Sequence, residues 1–142
     1  MAPLIQYHAT VLGSPDPQSA ARFYANLLGW ELGDDEREWA TILDPAGGSQ
    51  LSFQLEEDFE RPVWPEKPGQ QQMMMHLDLL VTDLAKAAEH AAECGAERAA
   101  HQPQDDVIVP ARHTKSVAVR VLLRCALMRP RPVMVRSKRK LH

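Results

Sequence analysis

No aspartate or glutamate occurs after Asp106. All 19 acidic residues and only 6 of the 16 Lys and Arg residues lie in residues 1–106, a charge of −13, while residues 107–142 carry 10 cations and hence +10. The net charge of −3 conceals this division. An ordinary stretch of that size would hold about four acids. Cysteine is also scarce. Cys94 and Cys125 form no CxxC or zinc-type spacing, which excludes a metal knot or dithiol pair of that kind. Two reduced thiols suit the cytoplasm, the expected location. No apolar run is long enough to span a bilayer, and the best candidate, VAVRVLLRCALM, carries Arg120 and Arg124. No membrane partner is therefore expected. The opening MAPLIQYHAT has no basic head and long apolar core, so no secretory leader is expected either. P-loop and GxGxxG motifs are absent, and no Ser-His-Asp set can be defended.

What is present fits a globular protein. With 142 residues, 44% hydrophobic and 25% charged, the chain suits one domain or two half-domains sharing a core. Much of its pattern occurs twice. YHATVLGSPDPQSAARFYANLLGWEL (7–32) parallels MHLDLLVTDLAKAAEHAAECGAERAA (75–100). Each opens on an apolar residue and a histidine, His8 or His76. Each then has an aspartate, Asp16 or Asp83, where a helix should begin, and a glycine, Gly29 or Gly95, where it should end. Ala20, Phe23, Tyr24, Leu27 and Leu28 recur at helical spacing in the first copy, and Leu84, Ala87, Ala88, Ala91 and Ala92 in the second. The offset drifts from 68 at the histidines to 66 at the glycines.

Strands are expected around 30–33 and 38–43, then a DPAGG turn, then the alternating strand SQLSFQLE. The fold class is thus α+β. It comprises βαβββ module one (1–55), a Pro-rich linker (56–72), module two with its β-α unit and following strand (73–109), and an atypical basic tail (110–142). Alternation puts Tyr7, Ala9 and Val11 on one face of the first strand and His8, Thr10 and Leu12 on the other. Leu77, Leu79 and Val81 face away from His76, Asp78 and Leu80. Leu51, Phe53 and Leu55 face away from Gln50, Ser52 and Gln54. The apolar faces should pack on the helices. The polar faces offer His, Gln, Asp and Ser, which are donors, acceptors and metal ligands. Trp39 and Trp64 are candidates to line the same side, although aromatic residues more often simply pack. Bland roles suit the rest: His90 and His101 solvated, Met73–Met75 as core filler, and Asp34, Asp35, Glu36 and Glu38 as a solvated hairpin.

These ordered motifs, together with W-x-x-I-L-D-P-x-G-G, L-x-F-Q and WP, resemble the vicinal oxygen chelate superfamily over about residues 5–109. Within it they are most similar to glyoxalase-like proteins of the glyoxalase/bleomycin-resistance group. The resemblance implies two βαβββ modules whose curved mixed sheets form a cleft for a small molecule. It implies metal ligands at His8, His76 and Gln54, and substrate contacts around Thr10, Trp39, Ser52 and Asp78. Fe, Mn, Ni or Zn would suit such a set and would support lyase or dioxygenase chemistry on vicinal oxygens. The alternative is a metal-free protein that binds or sequesters a drug-like ligand. The fourth ligand, usually Glu, should fall near position 122, where Leu122 stands. Pairing of the modules within one chain and across a homodimer both stay open.

A copy of ILDPAGGSQLSF should follow residue 109, but the chain reads VPARHTKSVAVRVLLRC. Pro110 interrupts the strand and the turn signal is missing. Read one base later from Pro110, an allowed codon choice yields Leu-Leu-Asp-Thr-Pro-Arg-Ala-Trp-Pro-Phe, which resembles the expected ending. One reading is that residues from about 110 are out of frame. The other is a real basic extension, RPRPVMVRSKRKLH, able to meet an anionic surface. The acidic remainder shows no nucleic-acid motif, so nucleic acid is not the expected partner.

Overall fold

The computed structural model describes residues 3–100, 102, 107–108, 110–113 and 120–125, with side chains described up to residue 102 and at Leu123. His101 and the tail beyond Cys125, with the expectations attached to them, lie outside the described residues. The chain runs β1 (Thr10–Ser14), α1 (Pro17–Leu28), β2 (Glu31–Asp35), β3 (Trp39–Leu43) and β4 (Gln50–Leu55). It continues with β5 (His76–Val81), α2 (Leu84–Glu93), β6 (Ala96–Arg98), β7 (Val107–Ile108), β8 (Pro110–His113) and β9 (Arg120–Cys125).

Both helices start and stop as their sequences require. The Asp16 carboxylate accepts the Ser19 N–H at 3.1 Å, and the Asp83 carboxylate accepts that of Lys86 at 3.1 Å. Each satisfies a donor that the first helical turn leaves unpaired. Past the last turns, Gly29 and Gly95 take φ of +68° and +100°, angles that disfavour a side chain.

Module one is a four-stranded curved sheet in the order β1-β4-β3-β2. β1 pairs with β4 in parallel, and the other pairs are antiparallel. The β3–β4 turn closes on Asp44, whose carboxylate accepts Ala46 N–H at 2.9 Å while its carbonyl accepts Gly47 N–H at 2.9 Å. Module two repeats the plan with a difference. β5 pairs with β9 in parallel, as β1 does with β4. The counterpart of β3 is described in two pieces: β7 pairs with β9, and β8 pairs with β6. The second module therefore does have a last strand, which the sequence pattern does not reveal.

The core sits between sheet one and α1. Ala20, Ala21, Phe23 and Tyr24 pack on Leu12, Ala40, Ile42 and Phe53, all nearly or fully buried. The Tyr24 ring stacks on Phe53 at 5.4 Å between centroids and meets Phe23 edge-on at 5.1 Å. Each such ring removed from water contributes roughly 1.5–3 kcal/mol. Ala91 of α2 and Leu123 of β9 join the same cluster, so the two modules share it. His90 is not merely solvated. Its Nε2 lies 3.1 Å from the Leu27 carbonyl; because a carbonyl only accepts, that nitrogen carries the proton and ties α2 to the end of α1.

Three further expectations change. β1 buries Leu12 and Ser14 at 2% and 0% exposure and leaves Val11 47% exposed, the reverse of the expected facing. The helix cap sets this phase: Ser14 Oγ accepts the Asp16 N–H at 3.0 Å, and the register places Leu12 beside Phe53. Asp35 is more than a solvated hairpin acid, since it binds Arg22 at 2.8 Å and accepts from Gln18 Nε2. Met74 and Met75 are exposed rather than core filler.

Candidate functional site

The side of sheet one turned away from α1 carries Val11 and Gly13 of β1, Gln50, Ser52 and Gln54 of β4, and Trp39 and Thr41 of β3. Strand register sets two adjoining rows across it. One row is Val11–Ser52–Thr41, the other Gly13–Gln54–Trp39. Ser52 and Thr41 are buried, and both hydroxyls are engaged. Gln50 Nε2 donates to Ser52 Oγ at 3.0 Å, and Thr41 Oγ1 accepts the Asp34 N–H at 2.8 Å. Gln54 is exposed and Trp39 half-buried, so this second row presents its chemistry outward.

Gly13 makes room for the segment that leaves β4. A Cβ at residue 13 would lie 2.7 Å from Glu56 Cγ; the bare backbone lets the Glu56 side chain cross the strand. Gln54 Nε2 then donates to Glu56 Oε1 at 3.3 Å. Beside this pair opens a groove of about 200 Å³, lined by Gly13, Glu56, Asp58 and Glu60, with Phe59, Pro62 and Met74 as its apolar part. Carboxylates and apolar surface therefore share one wall. The acids continue the outward parity of β4 in LEEDFE, a signal present in the sequence that a pattern of histidine ligands does not include.

On module two, His76, Asp78 and Leu80 share the exposed face of β5. His76 Nε2 lies 3.3 Å from Asp78 Oδ1. At that distance the two side chains form an ion pair when the ring is protonated.

The structure thus brings together Ser52, Gln54 and Trp39 on one sheet, and His76 with Asp78 on another strand. Thr10 pairs with Leu51 on the helix-packed side, and its hydroxyl bonds the Tyr7 hydroxyl. His8 lies ahead of β1, exposed. Registering the modules on their helix caps, Asp16 and Asp83, matches Leu12 with Leu79 and Ala9 with His76. His8 falls one residue off. The same register moves the counterpart of Gln54: Gly13 pairs with Gln54, its equivalent Leu80 pairs with Arg124, and Arg124 rather than Leu122 holds that position.

A divalent ion held as the resemblance implies needs four donors around one point. Gln54 has its nitrogen committed to Glu56 and only a neutral oxygen to offer. His76 offers a ring nitrogen. Arginine has no lone pair to give. Among the described residues no group of three or more His, Cys, Asp or Glu side chains is placed to hold a metal. The donor set described does not fit that centre. Also among the described residues, no helix is long and apolar enough to cross a membrane.

Comparison with known proteins is consistent with this geometry. The glyoxalase-like domain profile matches residues 9–113. No curated protein matches the chain. A structure described as a possible glyoxalase from Bacillus cereus is 13% identical and superposes with a TM-score of 0.59 over 87% of this chain and 100% of its own. A glyoxalase/dioxygenase from Nostoc punctiforme is 21% identical, with a TM-score of 0.57 over 88% and 94%. A glyoxalase/bleomycin resistance protein/dioxygenase from Nocardioides is 17% identical, with a TM-score of 0.53 over 92% and 89%. At these identities the likeness establishes the fold.

Proposed function

Because the chain belongs to the glyoxalase-like domain family of the vicinal oxygen chelate superfamily, we propose that it binds a small organic cation in the groove beside Gln54 and Glu56, without a metal. One observation carries this reading: Glu56, Asp58 and Glu60 line the same groove as Phe59, Pro62 and Met74. Carboxylates favour a positive group, and the apolar lining favours a hydrocarbon or aromatic body. Trp39, across β4 from Gly13 in the same row, is placed to add ring contact. Binding or sequestration needs no further chemistry. The lyase or dioxygenase reading rests on His76 and its Asp78 partner as the start of a ligand set.

Thermal unfolding with matched amines, neutral amides and carboxylic acids of one hydrocarbon body tests the first reading. Amines should raise the midpoint, since ligand at about 100 times its Kd adds roughly 2.7 kcal/mol. Glu56→Gln with Asp58→Asn should remove the effect. Equal shifts from the acids would defeat the proposal. Stoichiometric retention of Ni, Mn, Fe or Zn after dialysis, lost in His76→Ala, would favour the metal-dependent reading instead.

A further inference from the structure

We infer that the groove beside Glu56 selects its cation by hydrogen-bond donors, taking a primary ammonium or a guanidinium group in preference to a quaternary ammonium, and that Gly13 is the residue that sets this preference. The inference rests on the cation reading above and deepens it. It follows from the atoms the groove leaves unused and from the missing side chain at residue 13.

The groove is rich in acceptors and poor in donors. At its edge, Gln54 Nε2 donates to Glu56 Oε1 at 3.3 Å. In its wall, Gln71 Nε2 donates to the Gln72 carbonyl at 3.1 Å. A carboxylate and a carbonyl only accept, so each amide turns its nitrogen toward that partner. The amide oxygens are what remain for a ligand. Among the described residues Glu56 Oε2 accepts no hydrogen bond. Asp58 and Glu60 line the same groove and, as carboxylates, only accept. Phe59, Pro62 and Met74 bring no side-chain donor. Apart from the Gln72 amide, the lining side chains therefore offer acceptors and apolar surface, and the ligand must bring the donors. A primary ammonium carries three N–H groups, and a guanidinium fork can meet a carboxylate with two bonds at once. A quaternary ammonium carries none. It is held instead by the faces of several aromatic rings, and Phe59 is the only ring in the lining among the described residues.

Gly13 determines where the Glu56 carboxylate sits. The Glu56 N–H donates to the Ser14 carbonyl at 2.8 Å, which ties its backbone to the end of β1. The side chain then folds back over Gly13. A Cβ at residue 13 would lie 2.7 Å from Glu56 Cγ, 3.5 Å from Cδ and 3.6 Å from Oε1, and that same Oε1 receives the Gln54 bond. Backbone, aliphatic stem and one oxygen are thus all held, so the carboxylate is set before a ligand arrives. Such preorganisation lowers the ordering cost of binding. Gly13 is not among the glycines with positive φ, so its backbone would accept alanine; the Glu56 stem is what a side chain there would meet. The facing wall is held as well, since the Val63 N–H donates to the Gln71 carbonyl at 2.9 Å. Gly13 is a positioning residue that acts on the ligand through Glu56.

Calorimetric titration of the full chain with hexylammonium, hexylguanidinium and hexyltrimethylammonium tests both parts. The first two should bind at least about tenfold more tightly than the third, the worth of one charge-assisted hydrogen bond. Gly13→Ala should displace the Glu56 side chain and bring hexylammonium affinity down to that of Glu56→Ala. In a Glu56→Ala background, Gly13→Ala should change nothing further, because the clashing atoms are gone. A merely structural role for Gly13 would lower affinity in both backgrounds, and that result would overturn its assignment. Hexyltrimethylammonium binding as tightly as hexylammonium would overturn the donor preference while leaving the cation reading in place. Failure of all three cations to bind would defeat the cation reading and this inference with it.

Discussion

Tyr24 carries a hydroxyl into the centre of the core, fully shielded from water. Burial disfavours its charged form and pushes its pKa well above the usual tyrosine range. A folded-state pKa raised above the unfolded value means that the stability is fully present below the unfolded value, about 10, and is lost as pH climbs past it. Stability should therefore fall steeply above about pH 10, and Tyr24→Phe should flatten that fall. Urea unfolding from pH 8 to 11 checks it; an unchanged pH slope in the variant would refute the link. A second readout uses Tyr7→Phe, which leaves Tyr24 as the only tyrosine. Its tyrosinate absorbance should then appear together with unfolding rather than before it. Composition gives no hint of this behaviour, because helical spacing marks Tyr24 as inward-facing but cannot say how completely it is sealed. Glu56 is hidden for a related reason. Its position follows from Gly13 in the neighbouring strand, a contact that no local pattern contains.

Among the elements, β1 shows most clearly where sequence reading succeeds and fails. The existence of β1, α1, β3, β4, β5 and α2 is legible from alternation, helical spacing, the two Asp caps and the two glycines. The phase of β1 is not, because HATVLGS offers apolar residues at both parities. Tertiary contacts choose between them: Leu12 lies beside Phe53 and under α1, whereas Val11 lies beside Ser52. Phase decides which residues can reach the cleft, so it also decides the standing of Thr10 and His8. Leu12→Ala should remove about 2–5 kcal/mol of stability, as large-to-small core changes do. Val11→Ala, at a surface position, should stay within about 0.5 kcal/mol. Chemical denaturation of the pair gives the answer, and a larger loss at Val11 would restore the facing that alternation alone suggests. The β5 phase is legible because HLDLLV has a polar residue at two of its outward positions. Leu77, Leu79 and Val81 then mark the inward side.

At the scale of the molecule, the two copies of one plan are unequally built. Most of the fully buried side chains described belong to module one: Leu12, Ala20, Ala21, Tyr24, Ala40, Ile42 and Phe53. From module two, Ala91, Ala99 and Leu123 are buried among the described residues. In the cap register α2 places His90 and Ala91 where α1 places Phe23 and Tyr24, so its face removes far less apolar area from water. The inequality explains why the first module is legible almost strand by strand while the second fades after its helix: the residues that announce a strand are those that fill a core. It also sets an order of local stability, because opening energies follow buried apolar contact. Backbone amides of α1, β3 and β4 should exchange most slowly, and those of β5 and α2 sooner, through openings that leave module one intact. Native-state hydrogen exchange resolved by segment measures this directly. Equal protection in β5 and β4 would mean that module two draws on packing as extensive as that of module one, and that the shared cluster around Ala91 and Leu123 locks both into a single cooperative unit.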